Sequence, residues 1–332
     1  MAGDVATTNG TATDGAQSQF LANLARYADV ARGAFARNTE RAIRADTAVF
    51  TAWCGARNLV ALPAAPQTVA DFVDAMRDKS QGKPRKPATV RRYVSSIAHL
   101  HRAAELPNPA DGNAVRLALR RMTMQDGTAQ QQAEGITRRL ADKLLDAGAA
   151  GLRDLRNRAL LAVAYDTLCR RSELVALLVE DLHLGPHGDG TVEVRRGKTD
   201  QEGAGMTRYL APDTMRLVQG WVDAAGIKDG TLFRAVLKGG RLGGPLDAGT
   251  VARVFEELAR AAGVPEETVA RISAHSSRVG ATQDMAASDR ISTTAIMQAG
   301  GWKSPQMVAR YTKRQAARHS GAARLAEMQN RT

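Results

Sequence analysis

Three short clusters carry the side chains that could do chemistry. In Leu168-Cys169-Arg170-Arg171-Ser172-Glu173 two arginines end an otherwise apolar run, and Arg170 and Glu173, three apart, share one face of a helical turn. His275-Ser276-Ser277-Arg278 sets an imidazole and a guanidinium three apart near a helix start, where free amides and the macrodipole favour anions. Gly300-Gly301-Trp302 is followed, nine residues after the tryptophan, by Tyr311. Each cluster alone says little: an Arg–Glu pair is most often a structural ion pair, a His-x-x-Arg match arises by chance, and a lone tyrosine on a C-terminal helix usually packs. The ordered set of Arg170, Lys198, His275, Arg278, Trp302 and Tyr311 is a combination that chance rarely assembles.

Such a set suits phosphodiester chemistry. Cleavage needs a nucleophile, neutralisation of charge on the non-bridging oxygens, and an acid for the leaving oxygen. Two arginines can hold a phosphate through bidentate forks that lysine cannot imitate. A phenol has a pKa of ~10, so forming phenolate at pH 7 costs about 4 kcal/mol; neighbouring cations and a base such as His275 would lower that cost. Lys198, on a loop between two expected strands, can reach the leaving oxygen. The chemistry needs no metal and no other cofactor, and Gly185-Pro186 keeps His183 and His187 from forming a helical zinc pair.

The elements that must position these residues are mostly helical. Phe20 to about Met124 reads as a helical unit, broken at Leu62-Pro63 and Pro66 and by the basic turn Gln81–Pro87. Within it Thr89–Glu105 is an amphipathic helix, with Val90, Tyr93, Val94, Ile97 and Leu100 on its apolar face, and Asn113–Met122 forms the last helix. Residues 125–134, polar and glutamine-rich, suit a linker. Thr137 is the expected cap of a helix running to Gly148, and Leu155–Leu178 reads as a helix interrupted at Cys169–Arg171. The one β signal pairs Thr191–Arg195 with Met206–Leu210 across a Gly197–Gly205 loop. Beyond Asp213 helices return, and the glycines at 239–240 and 243–244 mark a surface loop.

Composition bounds the partners. The 332 residues suffice for two domains, and 44% apolar with 24% charged residues is a globular balance. Residues 1–19 lack the basic and apolar regions of a secretory signal and read as a disordered leader. Cys54 and Cys169 are too few for a disulfide framework, so a reducing, cytoplasmic setting is expected, with no membrane partner. The net charge is +12, and between Arg77 and Arg121 eleven Lys/Arg face only Asp78, Glu105 and Asp111. That concentration is the footprint of phosphate contacts.

The chain resembles the tyrosine recombinases of the phage integrase family. The likeness lies in LRNRALLAVAYDTLCRRSEL (155–174), HSSRVGATQDMA (275–286) and IMQAGGWKSPQMVARY (296–311). It extends to TAWCGARN (51–58) and to LHRAAELPNPADGNAV (100–115) with Arg120-Arg121, so it covers nearly everything after the leader. The resemblance implies a mainly α protein with a small antiparallel sheet, folded as a two-domain, C-shaped clamp around duplex DNA. Residues 20–124 would be the helical core-binding, SAM-like domain and 135–332 the catalytic domain with a partner-docking C-terminal helix. It makes Arg170 the first catalytic arginine, Glu173 its supporting carboxylate, Lys198 the general acid, and His275 and Arg278 the His-x-x-Arg pair. Trp302 falls where many members carry histidine, and Tyr311 becomes the nucleophile of a 3′-phosphotyrosine intermediate. Spacing alone leaves Arg170 and Arg171 both open; Glu173 falls at the family's distance from Arg170. DNA contacts are expected from Arg41, Arg44, Lys83, Arg85, Lys86, Arg91, Arg92, Arg120 and Arg121. The implied partners are double-stranded DNA with an inverted-repeat site, a homodimer on one site and a homotetramer in synapsis. A non-catalytic DNA-binding relative, a type IB topoisomerase and a basic RNA-binding protein are the competing readings.

Overall fold

The structure is a computed structural model that describes residues 19, 22–27, 29–31, 33–35, 37–127, 132–147, 151–195, 205–316 and 320–331. The leader (Gln19 apart), part of the linker and the loop carrying Lys198 lie outside the described residues. The chain divides into two compact units, Met1–Gln130 and Gln131–Thr332.

The first unit is helical: α1 (Arg37–Gly55), α2 (Pro66–Ala75), α3 (Pro87–Ala103) and α4 (Asn113–Asp126). Prolines open α2 and α3, where their missing N–H is not needed. Helix α1 packs on α3 and α2 on α4 around Phe50, Phe72, Val90, Ile97 and Met122. The rings of Phe50 and Trp53 meet Phe72 edge-on at 5.0 and 5.3 Å. Helix α4 runs four residues past the expected Met122, into the segment read as linker. Arg77 explains this, because it pairs with Asp126 at 2.7 Å and donates to Gln125, holding the last turn from another element.

The second unit begins with α5 (Arg138–Asp146), α6 (Leu152–Thr167) and the short α7 (Arg171–Leu174). Strands β1 (Leu182–Leu184), β2 (Gly190–Val194) and β3 (Met206–Leu210) form an antiparallel sheet in the order β1-β2-β3. Then come α8 (Pro212–Ala225), the paired strands β4 (Arg234–Val236) and β5 (Leu242–Pro245), α9 (Thr250–Ala261) and α10 (Glu266–Val269). The chain continues through α11 (Ser276–Ala286), α12 (Thr293–Gly300), α13 (Pro305–Ala316) and α14 (Gly321–Met328). Helix α6 is central: Leu160, Leu161 and Val163 are fully buried, and α5, α8, α11 and β3 all pack on it.

Three local expectations need correction. The β content is larger than the single hairpin, since Leu182–Leu184 adds a strand and 242–245, read as loop, pairs with Arg234–Val236. Glycines, which weaken strand propensity, hid that pairing. Thr137 occupies the cap position of α5 without a side-chain bond; the Arg138 N–H donates instead to Asp284 Oδ2 at 2.6 Å, so a carboxylate 146 residues away does the capping.

Candidate active site

A small apolar cluster of Leu168, Val279, Ala281, Ile296, Trp302, Val308 and Tyr311 joins the end of α6 to α11, α12 and α13. The chemistry-bearing residues sit around it. Helix α6 ends with Leu168 in the left-handed region (φ +53°). A leucine there costs about 1–2 kcal/mol, and the Leu168 carbonyl so exposed accepts Nη1 of Arg278. The reversal also presents Arg170. Glu173 accepts the Arg170 N–H through Oε2 and its Nη1 through Oε1, both at 2.8 Å, so one carboxylate caps α7 and orients the guanidinium. Arg170 is half-buried, whereas Arg171 is exposed.

His275 precedes the first turn of α11, and Arg278 follows on that turn. Arg278 is 2% exposed, its Nη2 donates to the Gly300 carbonyl, and its guanidinium lies 4.6 Å from the centre of the Trp302 ring. A buried, stacked guanidinium bonded to two backbone carbonyls is fixed in place. Two of its five donors are so engaged, and its Nε has no hydrogen-bond partner among the described residues. Burial lowers its pKa, which Tyr311 and Glu173 oppose.

Helix α12 ends in a Schellman-type turn. Gly301 (φ +62°) donates to Gln298 and Trp302 to Met297, at 3.2 and 2.9 Å. Gly300 is equally constrained, because a Cβ there would come within 2.2 Å of the Trp302 ring. The turn leads to α13, whose Tyr311 is 8% exposed with its ring 5.1 Å from Trp302. His275 Nε2 lies 2.6 Å from the Tyr311 hydroxyl. Burial of the imidazole, followed by the charges of Arg278 and Arg170, pushes the His275 pKa well below the usual histidine range. The residue as a whole nonetheless remains exposed. Neutral His275 can accept the phenolic proton, with Arg170 and Arg278 beside it.

A strap holds these helices. The Gln132 side chain donates to the Tyr311 carbonyl at 3.0 Å, Glu134 N donates to Arg271 O at 2.9 Å, and Ile136 N to Ser276 O at 2.8 Å. Gly280 of α11 lies against the Ile136 backbone so closely that a Cβ would fall 1.9 Å from the Ile136 carbonyl oxygen. Asp284, which caps α5, also accepts from the Tyr165 hydroxyl at 2.6 Å. Sequence reasoning missed both the strap and Arg208, a half-buried guanidinium on β3 that reaches the end of α12.

The structure thus brings Arg170, Glu173, His275, Arg278, Trp302 and Tyr311 together; Lys198 lies outside the described residues. The basic residues singled out for DNA stand on the first unit. Arg44, Lys83, Arg85, Lys86 and Arg120 are exposed and make no ion pair among the described residues. Others are engaged: Arg92 pairs at 2.9 Å with Asp46, which is buried and also accepts from Ser96, and Arg121 pairs with Asp74 at 2.7 Å. Arg41 bonds Asn38 and Arg91 bonds Thr123. Among the described residues no group of acidic, histidine or cysteine side chains could hold a metal, and no helix is long and apolar enough to cross a membrane.

A mainly helical fold with small antiparallel sheets and this cluster defines a class, and the comparisons agree with it. The chain belongs to the phage integrase family, the tyrosine recombinases, whose sequence profile matches residues 135–329; it is a site-specific recombination enzyme. It is similar to recombinase Cre of Escherichia phage P1, 30% identical over 312 residues that cover 89% of this chain and 90% of Cre. It is also similar to an integrase/recombinase XerD homolog of Selenomonas ruminantium, 31% identical over 290 residues covering 83% and 81%. Among solved structures, a lambda integrase dimer bound to a core site matches with a TM-score of 0.59 at 16% identity, over 92% of this chain and 81% of that one. The XerH site-specific recombinase bound to a palindromic substrate also gives 0.59, at 18% identity, over 79% and 72%.

Proposed function

We propose that the chain cleaves and rejoins duplex DNA at inverted-repeat sites through a covalent bond to Tyr311. The Tyr311 oxygen attacks phosphorus, giving up its proton to His275. An oxygen–phosphorus bond forms, the bond to the 5′ oxygen breaks, and the 3′ end stays attached to the enzyme as a phosphotyrosine ester. Arg170 and Arg278 take up the charge on the non-bridging oxygens, Arg278 through donors that the backbone does not use. Glu173 keeps Arg170 in place. The resemblance assigns the proton for the leaving 5′ oxygen to Lys198. Because an ester is exchanged for an ester, attack by a partner strand's 5′ hydroxyl reverses the step without ATP.

The observation that carries this reading is the 2.6 Å contact between His275 Nε2 and the Tyr311 hydroxyl, made beside two arginines. Likeness to Cre supports the remaining details. Protomers pair on one site and assemble as a tetramer in synapsis, with residues 20–124 as the DNA-binding unit and 135–332 as the catalytic unit. The free cations Arg44, Lys83, Arg85, Lys86 and Arg120 supply phosphate contacts, with Arg41, Arg91, Arg92 and Arg121 beside them.

The test is a nicked duplex carrying a half-site selected by binding from a random-sequence pool. Wild type should become covalently attached to the 3′ end. Tyr311→Phe should bind the half-site as before and form no adduct; an adduct that persists displaces Tyr311. Relaxation of a supercoiled plasmid lacking the site would favour a topoisomerase instead.

A further inference from the structure

A third arginine reaches the turn that leads to Trp302. On β3, Arg208 is paired in register with Val192, on the sheet face whose members Val192, Val194 and Leu210 are buried. Strand alternation therefore puts a guanidinium where an apolar side chain is expected. Burying such a group costs free energy unless its bonds compensate.

From β3, Arg208 Nη1 donates to the Gln298 carbonyl at 2.8 Å and to that of Ala299. Its Nη2 lies so near Gly301 that a Cβ there would come within 2.9 Å of it. The next carbonyl, that of Gly300, belongs to Arg278. These are final carbonyls of α12, of which the capping turn itself engages only that of Gln298 through the Gly301 N–H, and they carry the negative end of the helix dipole. Two cations from separate elements hold them. Immediately beyond comes the turn that delivers Trp302.

We propose that Arg208 is a positioning residue for strand cleavage: by holding the last carbonyls of α12 it sets the Gly300-Gly301-Trp302 turn, and so the indole stacked on Arg278 and beside Tyr311. Without it α12 can shift along its axis, and Trp302 carries that shift to Arg278 at 4.6 Å and to the Tyr311 ring at 5.1 Å. In-line attack tolerates little displacement, and an error of about 1 Å can cost a hundredfold in rate. The proposal rests on Tyr311 as nucleophile, but its first readout does not.

That readout is the indole N–H spectrum of the DNA-free, ¹⁵N-labelled full chain, in which Trp53, Trp221 and Trp302 give three resonances and Trp302→Phe assigns the third. Arg208→Met, which keeps the apolar stem, should move the Trp302 resonance and leave the other two in place. The same variant should form adduct about 10- to 100-fold more slowly under single-turnover conditions, with half-site affinity unchanged. Arg208→Lys keeps the charge but reaches one carbonyl, so it should fall between wild type and Arg208→Met in both readouts; it decides the matter if Arg208→Met does not fold. An unmoved Trp302 resonance, or a wild-type adduct rate, overturns the proposal. An adduct in Tyr311→Phe would instead overturn the assignment of the nucleophile and leave the indole result standing.

Discussion

Whether Tyr311 can surrender its proton turns on the state of His275. An imidazole with the ordinary pKa would be substantially protonated near pH 6 and a poor base. Here burial and the charges of Arg278 and Arg170 disfavour the imidazolium. The folded form therefore excludes a proton that the unfolded chain accepts once the pH falls below ~6.5. The stability this group contributes is fully present above that pH and is lost as the pH falls toward the lowered folded value. In DNA-free protein the His275 ring, assigned with His275→Gln, should show no protonation between pH 7.5 and 6 by NMR. A midpoint at the ordinary histidine value would remove the basis for its role as proton acceptor.

At the scale of elements, the site depends on helices meeting at fixed distances, and one close approach is between α11 and the strap that precedes α5. Gly280 permits it: the Ile136 carbonyl oxygen occupies the place of a Cβ. The opposing atom is backbone, so Gly280→Ala has to push α11 outward, taking His275 and Arg278 with it. It should cost on the order of 3 kcal/mol, as overpacking of a tight contact does. The second unit's thermal midpoint should then fall by roughly 6–12 °C, with the rate of adduct formation falling alongside. An unchanged melting curve would mean that the strap yields easily and does not fix the helix.

Over the whole molecule, assembly is the property to probe. Helix α14 begins with Ser320 capping through the Ala323 N–H and leaves Leu325 and Met328 exposed, at 50% and 82%. If that helix docks on a neighbouring protomer, deleting 321–332 should weaken formation of higher complexes on a full site more than binding of one protomer to a half-site. Gel shifts on the two substrates separate these effects, and equal loss on both would count against docking. The charge of the first unit bears on the same experiment, since its free cations would set half-site affinity whether or not the tail is present.

Much of this was legible in the sequence because the signals are local. The break between α6 and α7 shows as an apolar run ending in Arg170-Arg171, the β2–β3 pair as alternation, and the site as three clusters whose order carries the family likeness. Spacing of three placed Glu173 on Arg170's face. What only the tertiary structure decided are contacts whose partners lie far along the chain. Asp284 caps α5 from 146 residues away, Gln132 reaches the Tyr311 carbonyl across 179, and Arg208 meets the end of α12 across 90. Helical and strand periods repeat over a few residues, so they reveal which side chain faces inward but not what it meets there. An arginine in a short strand looks the same whether it ends in water or on the carbonyls of another helix, and folding alone brings those carbonyls within its reach.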